Sequence, residues 1–382
     1  MTEQTPRTRA VRAGMNTDPA HGAVVPPVYL STTYAFSGFD APGDFDYSRA
    51  GNPTRSILGR ALGDLEGGAE AVVTASGMAA VTTVLLALLP PGGTVLAPFD
   101  CYGGSWRVFD ALERTGRLRL RLADLSDPEA AAAALAGGAD LVWLETPSNP
   151  LLRITDIAAL SAAAHAAGAV VAADNTFATP VVQRPLALGA DAVVHSATKY
   201  LNGHSDVTAG AIMGARDRIA TLAPTRKLLG TILDPAAGYA VSRGLKTLEV
   251  RMARHNSNGL AVAEALQRMP GVAAVHYPGL ASHPDHTIAA AQMRGFGGMV
   301  TVELAGGEEA ARQAFDRLQV FQRAASLGGV ESLCSLPVLT SQYGWTDAQL
   351  AQAGVTRGML RLSVGLEDPQ DLIDDLAQAR AG

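Results

Sequence analysis

The residues most able to do chemistry cluster in His195-Ser196-Ala197-Thr198-Lys199-Tyr200-Leu201-Asn202-Gly203-His204, directly after an apolar run. Lys199 therefore sits at the end of a buried strand, flanked by hydroxyls and glycine. Such a lysine either snorkels out to solvent or, partly desolvated, is a nucleophilic amine able to form a Schiff base. Asp174, in Ala172-Ala173-Asp174-Asn175-Thr176, ends another apolar run. An aspartate there is a helix N-cap, or, beside a Schiff-base lysine, the carboxylate that keeps the pyridine nitrogen of pyridoxal phosphate protonated. Ser76-Gly77-Met78-Ala79-Ala80 joins a strand to an apolar helix. The N–H groups of Gly77 and Met78 at that terminus make an anion site favoured by the helix dipole, although sterics alone also explain a glycine at such a turn. Tyr102, in Asp100-Cys101-Tyr102-Gly103-Gly104, is either core or an aromatic face for a flat ring.

Competing chemistries fail on spacing. Ser196-Ala197-Thr198-Lys199 matches the S-x-x-K element of serine acyl-enzymes, which also need S-D-N and K-T-G. The chain offers Ser205-Asp206-Val207 and Lys246-Thr247-Leu248, each wrong at its last position, and a glycine-containing turn replaces the required helix. No G-x-x-x-x-G-K-[ST] or G-x-G-x-x-G supports nucleotide binding. The eight histidines include no H-E-x-x-H, and no metal site is expected. His283 and His286, in a proline-containing loop, read as surface residues. Cys101 and Cys334 are too few for a disulfide framework and read as buried small hydrophobes in a reducing compartment.

The elements that must position these groups follow from apolar runs. Ala71–Thr74, Thr94–Ala97, Leu141–Leu144, Val170–Ala173 and Ala192–Val194 lack polar alternation, as strands buried on both faces do, and Ala/Leu-rich stretches of helical length separate them. The alternation predicts an α/β fold with a mostly parallel sheet. Ligands of such sheets bind at the carboxyl ends of the strands, so Ser76, Asp100, Asn149, Asp174 and Ser196 should converge. Residues 1–50 show no sustained period and read as an extended arm that needs a partner surface. Residues 51–245 form the main domain. From 246 to 382 the rhythm loosens into a smaller α+β domain, with strands expected in Phe296–Leu304 and Leu360–Val364.

Composition sets the remaining bounds. At 382 residues, 48% hydrophobic and 17% charged, the chain has ample core and is not disordered. Its 30 Lys+Arg and 36 Asp+Glu leave a net charge of −6, which gives no electrostatic reason to bind nucleic acid. The stretch MTEQTPRTRAVRAG has no apolar h-region, and Ala79–Leu89 stops at Pro90-Pro91, short of a bilayer span. A soluble cytoplasmic protein with no membrane partner is expected.

Taken jointly, Tyr47-Ser48-Arg49-Ala50-Gly51-Asn52-Pro53-Thr54, Glu145-Thr146-Pro147-Ser148-Asn149-Pro150, Ser196-Ala197-Thr198-Lys199-Tyr200, Gly203-His204-Ser205-Asp206 and Ser326-Leu327-Gly328-Gly329-Val330-Glu331-Ser332 resemble the cystathionine γ-synthase/γ-lyase family of pyridoxal-phosphate enzymes. The resemblance extends to Arg361–Asp368 and so covers nearly the whole chain. It implies fold type I and a homotetramer of two catalytic dimers. It implies that Lys199 carries pyridoxal 5'-phosphate, that Asp174 pairs with the pyridinium and that Tyr102 stacks on the ring. Gly77, Met78, Ser196 and Thr198 would hold the phosphate, with Tyr47 and Arg49 reaching over from the neighbouring subunit, and Ser76 and Thr176 would complete the cofactor set. Asn149, Ser326 and Arg361 would place an amino-acid substrate, Arg361 gripping its α-carboxylate bidentately.

Within that family Asp100–Arg107 is most similar to the γ-synthases, in which Asp46 and Arg107 would line the distal substrate pocket. Two departures fall near that pocket: Ala325 replaces the usual glutamate, and Leu339-Thr340-Ser341-Gln342 replaces the usual Met-Thr-His. The implied reaction is γ-replacement on an O-acylhomoserine by a thiol, through a vinylglycine-type intermediate, with Lys199, Tyr102 and Asp174 as catalytic residues. Its rivals are γ-elimination, γ-substitution by an unusual nucleophile, and a non-catalytic scaffold that retains the fold.

Overall fold

A computed structural model describes residues 4–380; the first three residues of the expected arm and the last two of the expected C-terminal domain lie outside the described residues. Seven strands, β1 (Val72–Thr74), β2 (Thr94–Pro98), β3 (Arg119–Ala123), β4 (Leu141–Glu145), β5 (Val170–Asp174), β6 (Ala192–His195) and β7 (Gly210–Gly214), form one sheet in the order β1-β7-β6-β5-β4-β2-β3. The neighbours from β3 to β6 pair in parallel, and β7 runs antiparallel to both β6 and β1. The mostly parallel sheet and the fold type I architecture are as expected.

Both faces of the central strands are covered. In β4, Val142 and Leu144 enter one apolar cluster, with Leu160 and Ala164 of the helix Ile157–Ala166, while Leu141 and Trp143 enter another, with Ala80 and Val84 of the helix Gly77–Leu88. This two-sided burial explains why these strands read as unbroken apolar runs. It also leaves the strand ends as the place where polar groups meet solvent.

A second sheet, in the order β10-β11-β12-β9-β8, is built from β8 (Val272–His276), β9 (Met299–Leu304), β10 (Gln322–Arg323), β11 (Leu333–Ser335) and β12 (Met359–Ser363). The helix Leu248–Arg268 contributes Val262 and Leu266 to its core. β12 carries Arg361, and the loop between β10 and β11 carries Ser326.

The arm departs from an extended reading at its start. Pro6–Val11 is helical because Thr5 caps it and Pro6 occupies the first turn, where no N–H is needed. Ala10 and Ala13 are buried in the same core cluster as Leu58 and Ala61 of this chain. Further along, Val24, Leu30, Phe36 and Phe39 are exposed. The histidine loop also differs from its surface reading. His283 is buried, accepting the Asp285 N–H at 3.2 Å, because Asp285 pins the loop to the chain by accepting the Ile154 N–H at 2.9 Å. His286 is half-buried, its Nδ1–H donating to the Pro278 carbonyl at 2.8 Å. No cluster able to hold a metal occurs among the described residues, and both cysteines are free and buried.

Candidate active site

A cleft of about 460 Å³ opens at the carboxyl ends of β4, β5 and β6, closed on its other side by Ser326 and Arg361 from the second sheet's region. Of the residues singled out in the sequence, Ser76, Gly77, Met78, Tyr102, Arg107, Asn149, Asp174, Thr176, Ser196, Thr198, Lys199, Ala325, Ser326 and Arg361 all line it. Asp100 does not. Its carboxylate turns into the protein, where it accepts the Ser148 hydroxyl at 2.6 Å and lies 3.9 Å from Arg153. Asp46, Tyr47 and Arg49 are also absent from this chain's cleft. Asp46, expected beside Arg107, instead accepts the Tyr47 N–H at 2.6 Å. Tyr47 is exposed, and the Arg49 guanidinium lies 5.6 Å from its ring centroid while donating to the Lys227 carbonyl at 3.3 Å.

One end of the cleft is the start of the helix Gly77–Leu88. Ser76 Oγ accepts the Ala79 N–H at 3.1 Å, and Ala80 N–H bonds to the Ser76 carbonyl, so the N–H groups of Gly77 and Met78 are left for a ligand. A Cβ on Gly77 would lie 2.8 Å from Ser196 Cβ, so only glycine lets the helix terminus meet the β6 turn. The Ser196 backbone is fixed by its N–H donating to Thr176 Oγ1 at 2.8 Å. Two free N–H groups, a helix dipole and the adjacent Ser196 hydroxyl fit a phosphate, with Thr198 beside them donating its hydroxyl to the Ala209 carbonyl at 3.1 Å.

The amine lies deeper. Lys199 Nζ donates to Ser326 Oγ at 2.6 Å. Burial, and secondarily the nearby Arg361 charge, lowers its pKa to about 8, making it a base near neutrality. Ser326 adopts φ 86°, which a non-glycine residue holds only where its surroundings enforce it. Arg361 is buried; Nη1 donates to Asn149 Oδ1 at 3.2 Å and Nη2 to the Ser326 carbonyl at 3.0 Å, while Nε has no partner. A buried guanidinium lining a cleft is suited to a carboxylate. Burial draws its pKa down to about 10, so it stays cationic at neutral pH.

The floor holds two carboxyl groups. Glu145 and Asp174 are register partners on β4 and β5, and both line the cleft. Burial, and then Asp174, pushes Glu145 well above the ordinary carboxyl range. Burial also raises Asp174, but the Thr176 hydroxyl, the Thr176 N–H and His195 oppose the rise. Of the pair, Glu145 is the one driven further toward its neutral form, and the donors around Asp174 favour its charged form. Glu145 Oε2 accepts the Tyr102 N–H at 2.8 Å, which anchors Tyr102 at the cleft rim. A buried carboxyl whose hydrogen-bond donors favour the charged form fits a protonated ring nitrogen.

Two further residues line the cleft: Glu145, whose role is not legible from its place in the Glu145–Pro150 motif, and Phe177, which no motif marks. The signal for Glu145 was available: it ends β4 as Asp174 ends β5. The outer wall comprises Ala325, Leu339, Thr340 and Ser341, with Arg107 at its edge donating to the Tyr343 carbonyl at 2.8 Å.

Comparison with known proteins agrees with this geometry. The model of the Cys/Met metabolism PLP-dependent enzymes matches residues 7–381. The chain is 47% identical to cystathionine gamma-synthase of Escherichia coli (strain K12) over 370 residues, 97% of this chain and 96% of that protein. The crystal structure of cystathionine gamma synthase from Xanthomonas oryzae pv. oryzae in complex with aminoacrylate and cysteine is similar at TM-score 0.97 and 47% identity, covering 100% of this chain and 98% of that one. A cystathionine gamma lyase from Micromonospora echinospora is similar at TM-score 0.94 and 42% identity, covering 100% of both chains.

Proposed function

Because the chain belongs to the Cys/Met metabolism PLP-dependent enzyme family, we propose that it catalyses γ-replacement on an O-acylhomoserine. The Cγ–O bond to the acyl group breaks, a Cγ–S bond to cysteine forms, and the products are cystathionine and the free carboxylic acid, which leaves with the thiol proton. The observation that carries this reading is one lysine amine placed between an anion-binding helix terminus and a buried guanidinium; no other lysine among the described residues lines the cleft.

Pyridoxal phosphate, when bound, withdraws electrons from the substrate and so makes the protons at Cα and Cβ acidic. Gly77, Met78, Ser196 and Thr198 would hold its phosphate, Asp174 its ring nitrogen, Tyr102 one face of its ring, and Lys199 Nζ its aldehyde carbon. Arg361, fixed by Asn149, binds the substrate's α-carboxylate and so orients Cα toward Lys199. Lys199 Nζ accepts the Cα proton, and its lowered pKa leaves a useful fraction unprotonated at neutral pH. Ser326 Oγ holds that amine in place, and the Tyr102 phenol, which lines the same cleft, would be the second proton-handling group. Arg107 would meet a distal carboxylate such as that of a succinyl ester.

The acyl donor and cysteine are small-molecule amino acids. We further infer a homotetramer of two catalytic dimers acting in the cytoplasm. Support comes from Tyr47 and Arg49, which lie outside their own cleft on an arm that exposes apolar side chains, as residues serving a neighbouring subunit would. Among the described residues no helix is long and apolar enough to cross a membrane.

A second reading, γ-elimination, uses the same residues. It is favoured by the outer wall of Ala325, Leu339, Thr340 and Ser341, which offers no carboxylate to the ammonium of a second amino acid. Mass-resolved product analysis with O-succinylhomoserine, with and without cysteine, separates the two. γ-Replacement predicts cystathionine and succinate in equal amounts when cysteine is present. Production of 2-oxobutanoate, ammonia and succinate at a rate indifferent to cysteine would establish elimination instead, and no turnover under either condition would overturn γ-replacement on this ester.

A further inference from the structure

A second cavity, of about 500 Å³, shares no lining residue with the cleft. It lies between Ala50–Asn52 at the end of the arm, the helix Pro53–Glu66, the edge strand β1 and the helix Arg216–Leu229. Four arginines line it, Arg55, Arg60, Arg216 and Arg226, against a single acid, Glu70. Glu70 is partly engaged by Arg60, at 3.9 Å.

Two of these guanidiniums are held out of water. Arg55 is 3% exposed and Arg226 8% exposed. Arg55 donates through Nη1 to the Leu233 carbonyl at 3.0 Å, but its Nε and Nη2 have no partner. Arg226 donates through Nη2 to the Ala50 carbonyl at 2.9 Å, and its Nε has no partner. A buried charge is tolerated when it is paired, and a buried donor costs free energy when it is not. Here two like charges sit side by side with three unspent donors beside an open cavity. Their mutual repulsion adds to burial in drawing the Arg55 pKa down to about 10. Nothing in the proposed reaction uses this charge.

We propose that this cavity is an oxyanion site, with Arg55 and Arg226 as its inner donors and Arg60 and Arg216 as its outer ones. The ligand is a phosphate, sulfate or carboxylate group, the chemistry that matches forked guanidinium donors. It comes either from a free small anion or from an acidic side chain of a second copy of this chain. Because Arg226 also holds the Ala50 carbonyl, a bound anion would brace the segment that carries Tyr47 and Arg49.

The test uses the holoenzyme, whose phosphate cradle in the cleft is filled and cannot report a second anion. Thermal unfolding is followed against sodium sulfate and sodium phosphate, with sodium chloride at matched ionic strength as reference, and assembly is followed by size-exclusion chromatography with light scattering. The variants are Arg226→Met and the exposed pair Arg60→Gln and Arg216→Gln, which removes charge without disturbing the core. If the source is a free anion, the wild type shows saturable stabilisation, and each lost charged contact weakens the apparent affinity about tenfold. If the source is a second copy, free anions have no specific effect on the wild type, while the variants dissociate to smaller species at concentrations where the wild type stays assembled. An anion response equal in wild type and variants, together with unchanged assembly, would overturn the proposal.

Discussion

Replacing Arg361 by leucine separates substrate binding from cofactor binding and tests how charge is arranged around the amine. Arg361 sits on β12 at 5% exposure, with Asn149 Oδ1 and the Ser326 carbonyl as its fixed acceptors and Nε left over. A substrate carboxylate bound there is desolvated, and removing one partner of such a pair typically costs about 2–5 kcal/mol. That corresponds to a fall in kcat/KM of about thirtyfold to a few thousandfold for every amino-acid substrate alike. Cofactor affinity, measured by titrating the apoenzyme and following the visible absorbance, should change little, because none of the proposed cofactor residues bonds to Arg361. A second readout is pH. Burial is the main reason the Lys199 pKa is about 8, and the Arg361 charge is the next. Losing that charge should raise the pKa and move the acid limb of the kcat profile, which reports the substrate complex in which this amine is free, to higher pH. Arg361→Lys, which keeps charge but not the fork, should restore the pH profile more fully than the affinity. A loss of cofactor affinity as large as the loss of kcat/KM, or an acid limb that stays in place in Arg361→Leu, would refute this reasoning.

Other expectations follow from the same geometry. Glu145→Gln should leave cofactor affinity and the pH profile nearly unchanged, since burial already pushes the wild-type carboxyl toward its neutral form, whereas Glu145→Ala should weaken cofactor binding by freeing Tyr102; a large effect of the glutamine variant would place the charge on Glu145. Arg49→Ala and Lys199→Ala should each be nearly inactive, but mixed and reassembled they should regain part of the activity, because some sites then combine an intact lysine with an intact partner arm. Failure to recover after demonstrated subunit exchange would confine Arg49 to its own chain. His255, buried and donating from Nδ1 to the Val364 carbonyl at 2.8 Å, has its pKa lowered to about 4. The unfolded chain takes up this proton near pH 6.5 and the folded one only near 4, so stability falls across that window as pH drops. The loss should be about 2 kcal/mol between pH 7 and pH 5, and denaturant unfolding of His255→Asn should lack that part of the slope.

The sheet was legible where both faces are buried, because such strands read as apolar runs with no competing period. β3 escaped because it is an edge strand that pairs only with β2, and Arg119-Leu120-Arg121-Leu122 alternates charge with apolar side chains. β7 escaped because Gly210 and Gly214 bound a run of three residues, too short for a period. In the site, the carboxyl-end rule anticipated that Ser76, Asn149, Asp174 and Ser196 line one cleft, but it says nothing about which way a side chain turns. Asp100 turns toward Ser148 and Arg153, and only tertiary contacts decide that. Glu145 acquires meaning from its register with Asp174, a relation between strands that linear spacing does not contain. His283 misled because a proline-containing loop suggests exposure, whereas Asp285 ties this loop down.

Lys199 is one of only three lysines in the chain, beside Lys227 and Lys246. Borohydride reduction of the purified holoenzyme fixes the cofactor to the amine that carries it, and proteolysis with mass spectrometry then locates the added mass. The expected product is a single modified peptide, containing Ser196–Tyr200 with the cofactor on Lys199. Cofactor recovered on Lys227 or Lys246, or no reducible adduct in a holoenzyme of full cofactor content, would contradict it.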